Sequence, residues 1–181
     1  MKDSDFWTLI EEAKPQSHIF STEEHFASCK ERLESLSDKN LVDFQVQVNK
    51  RFRRAYKWDL WAAAFIINSG CSDDQFIDFI HGLIFQGLQA YENAVKNADS
   101  IANLENARAL IEYELVAALP YKIFTERNGS DDIDFLDLVE EIYDPGRLDA
   151  PKGRAWKDEE ALKSRLPLLS RRFTDSLPSD K

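Results

Sequence analysis

The sequence predicts an all-α protein: a single compact multi-helix bundle of about seven to nine helices that ends in short C-terminal helices. Three observations predict it. Apolar residues recur at spacings of three and four along nearly the whole chain, and no convincing period-two run occurs. Serines followed by Glu or Gln three residues later mark helix starts at Ser21 and Ser72. Only 6 Gly and 6 Pro in 181 residues leave too few turn formers for a turn-rich β architecture.

The elements follow in order. Residues 4–14 form a helix with Ser4 as its expected N-cap and Phe6, Trp7 and Ile10 on one face. Pro15 and Ser17 end it. The capping box Ser21–Glu24 starts a second helix with Phe26, Cys29, Leu33 and Leu36 on one stripe. Ser37-Asp38 opens a third, carrying Leu41, Phe44, Val48, Phe52 and Ala55 inward. Trp58 to Ser69 is apolar on most faces and is therefore expected at the centre, with Asp59 as cap and Gly70 as the C-terminal stop. Ser72-Asp-Asp-Gln75 is a second capping box, with two acids in the positive first turn of a helix through Ile84.

Gly82 and Gly87 interrupt that pattern, and either a close helix contact or a kink near Gly87 would account for both. Residues 91–95 read as a short helix, 97–103 as a loop and 104–118 as a helix that Pro120 kinks or ends. Tyr121–Phe124 is a weak strand candidate. Residues 131–143 are an acidic helix with Ile133, Leu136, Val139 and Tyr143 inward. The turn Asp144-Pro-Gly146 leads to an irregular basic stretch at 147–157. Short helices follow from Asp158 to Arg165 and from Pro167 to Phe173. The chain thus reads as one helical domain over 1–173, with a disordered tail at 174–181.

Charge narrows the function. The net charge is -10, which opposes nucleic-acid and anionic-membrane binding and favours a partner with a basic surface. The longest apolar stretch, Trp61–Ile67, is far too short to span a bilayer. The opening Met1-Lys-Asp-Ser-Asp lacks the order of a secretory signal, and Cys29 and Cys71 form no CxxC. These features lead us to expect a cytoplasmic protein with two reduced thiols.

The block from Tyr56 to Asp74, Tyr-Lys-Trp-Asp-Leu-Trp-Ala-Ala-Ala-Phe-Ile-Ile-Asn-Ser-Gly-Cys-Ser-Asp-Asp, resembles the core of the bacterial domain-of-unknown-function family numbered 4240. Asp5-Phe6-Trp7 with Leu9-Ile10, and Phe76, Phe79, Leu83-Ile84, Gly87 and Tyr91, extend the likeness over residues 1–102. Trp156, Leu166-Pro167, Leu169 and Phe173 look like the family's ending, whereas 103–173 is otherwise more divergent. The resemblance implies a soluble helical domain and no particular activity.

Candidate chemistry is sparse. Trp58, Trp61 and Phe65 read either as an interface anchor or as core, and their Ala and Ile neighbours favour core. Cys71, Asp73, Asp74 and His81 lie near one helix junction and are the weak candidates for an enzyme or small-molecule site. Capping already explains Ser72, Asp73 and Asp74. His18, His25 and His81 form no metal-binding motif. Glu92, Glu112 and Glu114 lack the Glu-x-x-His of a di-metal bundle, so neither metal nor cofactor is expected. Lys50, Arg51, Arg53, Arg54 and Lys57 form a basic patch, a minor candidate for phosphate or nucleic acid. Asp131, Asp132, Asp134, Asp137, Glu140 and Glu141, with Asp144 beyond them, make a run without one base. That run is either a solvated face paired with Arg165, Arg171 and Arg172 or a docking face for a basic protein. The overall expectation is a non-enzymatic binding module, immunity- or antitoxin-like or a regulatory adaptor.

Overall fold

The structure is a computed structural model that describes residues 1–14, 21–129, 132–144 and 146–173, with the side chains of Asp132 and Ile133 left out. The expectations for Pro15, Ser17, His18, Asp131 and the 174–181 tail lie outside the described residues. Eleven α-helices and two 3₁₀ segments occur among them, and no strand. The bundle is all-α as expected, with more and shorter elements.

Helix α1 (Asp3–Ala13) buries Phe6, Trp7, Ile10 and Ala13. Its N-cap is Lys2 rather than Ser4, whose hydroxyl bonds Asp5 instead. Helices α2 (Thr22–Glu34) and α3 (Asp38–Ala55) are capped by Ser21 and Ser37, each accepting from the backbone N–H three residues on. Helix α4 (Trp58–Asn68) has no side-chain cap; Asp59 pairs with Arg165 instead. Its left-handed terminal residue is Ser69, at φ 57°, with Gly70 one position later. Helix α5 (Asp73–Phe85) has the complete capping box, Ser72 and Gln75 each satisfying the other's backbone N–H.

Both interior glycines have a packing reason. A Cβ on Gly82 would stand 2.2 Å from the Leu110 carbonyl oxygen, so α5 lies directly on the backbone of the second 3₁₀ segment (Ala107–Glu112). Gly87, at φ 91°, ends α5 and is the N-cap of α6 (Leu88–Lys96). The expected loop at 97–103 is the first 3₁₀ segment (Ala98–Asn103). The expected helix at 104–118 is the second 3₁₀ segment followed by one α-turn, α7 (Glu114–Ala117). Pro120 sits in the first turn of α8 (Leu119–Asn128), where its missing N–H costs nothing, so Tyr121–Phe124 is helix and not strand.

Helix α9 (Asp132–Ile142) packs on α3 and α8. Its inward residues are Phe135 and Val139, with Tyr143 half-buried against the core; Val139 and Tyr143 sit as expected, whereas Leu136 is exposed and Phe135 takes the inward place. The irregular 147–157 segment lies against the start of α4: Trp58 N–H donates to the Lys152 carbonyl and Lys152 N–H to the Tyr56 carbonyl, both at 3.0 Å. Helices α10 (Glu159–Arg165) and α11 (Pro167–Phe173) bury Leu162, Leu166, Leu169 and Phe173. The buried Asp99 carboxylate accepts the Leu168 and Leu169 N–H groups at the start of α11, and Arg172 donates to the Ala102 and Leu104 carbonyls at 2.6 Å. The C-terminal part is therefore fastened to the first 3₁₀ segment and α4.

Candidate functional site

Each α-helical residue turns by about 100°. On α9 this places Glu140, Asp137, Glu141 and Asp134 on one outward arc, opposite the buried Phe135 and Val139. Leu136 flanks the arc on one side and Leu138 and Ile142 on the other. Their exposures are 51%, 39% and 56%, values that leave large apolar side chains in water beside the acids. None of the ion pairs among the described residues uses Asp137, Glu140 or Glu141. Arg165 instead meets Asp59 and the Arg154 carbonyl, and Arg172 the 3₁₀ carbonyls described above. The result is an acidic ridge with apolar shoulders.

A cleft of about 300 Å³ adjoins this ridge. Its walls include Ile77, Asp78 and His81 of α5, Glu114 of α7, Tyr121 of α8, and Phe135 and Leu136 of α9. Burial, then the charges of Glu114 and Asp74, raise the Asp78 pKa. The His81 ring stands 5.3 Å from that of Phe52, and burial lowers its pKa to about 4, so it is neutral at pH 7.

The junction residues do not join His81 there. Asp73 and Asp74 are exposed in the first turn of α5, while His81 lies about two turns on, roughly 10 to 12 Å along the axis. The Cys71 carbonyl accepts from the Trp61 indole at 3.3 Å, and its thiol faces the Ser72 carbonyl at 3.5 Å. Burial and the Asp73 charge push that thiol up to about 11, which opposes a nucleophilic role at neutral pH. Glu92 binds Arg54 and Glu112 accepts from Thr22, so Glu114 alone of the three helical glutamates lines this cleft. No group of three or more His, Cys, Asp or Glu is placed to hold a metal ion among the described residues.

The five residues of the basic patch all make contacts within the protein, with Lys50 and Arg54 also exposed. Arg51 is buried over the Phe6 and Trp7 rings and bonds Asp3 and Gln47. Arg54 grips Glu92 with both terminal nitrogens. Arg53 donates to the Arg147 carbonyl and Lys57 to the Val95 carbonyl, both at 3.0 Å. Lys50 sits 5.5 Å from the Tyr143 ring centre. These five cations tie α1, α6, the residue after α9 and the 147–157 segment to α3 and the α3–α4 junction.

The aromatic block is half core and half surface. Trp61 stacks on Phe76 at 4.7 Å and on Trp58 at 5.2 Å, whereas Phe65 is 37% exposed and meets Trp156 at 5.3 Å. Helix α4 is thus not enclosed on all sides. Phe65 and Trp156 border a second groove of about 400 Å³ with Lys157 and Leu162.

Sequence reasoning missed Phe135 as an anchor, and with it the shoulders at Leu138 and Ile142. The four-residue spacing of Phe135 and Val139 was the available signal. No helix among the described residues is long and apolar enough to cross a membrane. Comparison with curated proteins and with solved structures gives no match. The family model described as "Protein of unknown function (DUF4240)" matches residues 1–126, which carries the likeness beyond the 1–102 read from the sequence and through most of α8. The chain belongs to that family.

Proposed function

We propose that the protein is a non-enzymatic binding module whose α9 face docks a basic partner protein. The ridge of Asp134, Asp137, Glu140 and Glu141 between exposed leucines carries the reading. Leu136, Leu138 and Ile142 supply desolvation energy at the contact, about 25 cal/mol for each Å² covered. The acids steer a cationic surface and set its register. An inhibitor of the immunity or antitoxin kind and a regulatory adaptor are the two roles that fit such a face. Two free cysteines, Cys29 buried and Cys71 half-buried, support a cytoplasmic setting.

The enzyme reading has less support, since the Cys71 thiol is held protonated and apart from His81. Nucleic-acid binding through residues 50–57 has less still, because those cations already have intramolecular contacts. The test is co-purification of the tagged full chain from its native host at low and high salt. A stoichiometric basic protein retained at low salt and released at high salt is expected. Recovery of the chain alone at both salts contradicts the reading.

A further inference from the structure

We propose that the cleft beside α9 is a subsite for one arginine side chain of the docked protein, with Asp78 and Glu114 at the guanidinium and Ile77, Tyr121 and Leu136 along the stem. The proposal rests on the α9 docking face, because Leu136 borders both surfaces.

Charge complementarity chooses the occupant. Two carboxylates share the cleft, no Lys or Arg lines it, and neither acid enters an ion pair among the described residues. Burial first, then the charges of Glu114 and Asp74, raise the Asp78 pKa, and no cation offsets them there. His81 adds no positive charge, since burial keeps its ring neutral, and its enclosed Nδ1 has no hydrogen-bond partner.

Size and wall chemistry agree. At about 300 Å³ the cleft is at the small end of ligand pockets and fits a side chain better than a cofactor. Its walls are largely apolar, with the Tyr121 ring among them. A guanidinium is more weakly hydrated than an ammonium and stacks on aromatic faces, so arginine suits these walls better than lysine.

The test is a two-dimensional NMR titration of the full chain with N-acetyl-arginine methylamide and with its uncharged citrulline counterpart. Saturable shifts are expected at the amides of Ile77, Asp78, Ala117, Ala118 and Leu136, with citrulline weaker by roughly ten-fold, the loss of charge-assisted bonds. The double variant Asp78→Asn, Glu114→Gln should lose the arginine response and unfold at the same or a higher temperature, since a repulsion is removed. Equal responses to the two probes, shifts confined elsewhere, or an unchanged response in the double variant would overturn the subsite. The probe needs no partner, so the variant Asp137→Lys, Glu141→Lys separates the two ideas. It should abolish partner capture and leave the arginine titration intact. An arginine response lost with these ridge charges would overturn the placement in the cleft.

Discussion

Gly82→Ala is expected to destabilise the protein by about 3 kcal/mol, the upper part of the usual overpacking range. Helix propensity alone predicts the opposite sign, a gain of about 1 kcal/mol for Ala over Gly inside a helix. The packing decides. The new methyl would stand 2.2 Å from the Leu110 oxygen and 2.8 Å from its carbonyl carbon and Cα. All three are backbone atoms, so relief requires α5 and the 107–112 segment to separate. Leu110 itself is fully buried, and separation would open space around it. A loss of about 3 kcal/mol lowers the melting temperature by roughly 9 °C in a chain of this size. Thermal unfolding of Gly82→Ala checks it, and a raised melting temperature would show that the two segments do not touch.

Acid is expected to weaken the fold through His25, by about 2 kcal/mol between pH 7 and pH 5. His25 is 1% exposed, and its Nδ1 is hydrogen-bonded with the Tyr113 hydroxyl at 2.8 Å. That hydroxyl accepts from Gln86 at 3.1 Å, and Gln86 accepts from Asn106 at 3.0 Å. Burial, then the positive charge of Lys14, lowers the pKa to about 4 from 6.5. The folded value lies below the unfolded one. The unfolded chain therefore takes up the proton first, and stability present above about pH 6.5 is lost as the pH falls toward 4. Urea unfolding at several pH values measures the slope. In His25→Phe the loss from pH 7 to 5 should shrink by about 2 kcal/mol, whatever constant offset the lost Tyr113 bond adds. An identical slope in the variant would place the titration elsewhere.

Local chemistry was legible in the sequence where neighbours in the chain decide it. Ser21, Ser37 and Ser72 cap helices because their partners are three residues away. Gly82 and Gly87 signalled a contact or a break because mid-helix glycine is costly without one, and the structure assigns the contact to Gly82 and the break to Gly87. Long-range pairing was not legible. Asp59 left its capping role for Arg165, far along the chain, and Asp99 serves α11 from the first 3₁₀ segment. The 3₁₀ segments took their path from tertiary packing, where helical spacing allowed a regular helix. On α9 two apolar stripes compete, and contact with α3 and α8 chose Phe135 and Val139 over Leu136. The acid run was visible at once. The cleft beside it was not, because Asp78, His81, Glu114 and Leu136 come from three different helices.

The most direct measurement of the docking face compares partner capture by three forms of the full chain at low salt. They are the natural sequence, the variant Asp137→Lys, Glu140→Lys, Glu141→Lys, and a control with the exposed helix-start acids Asp73 and Asp74 both changed to Asn. Loss of the stoichiometric basic partner in the α9 variant, with capture retained by the control and all three forms folded, is the predicted result. Equal capture by all three would contradict the assignment of the docking face to α9.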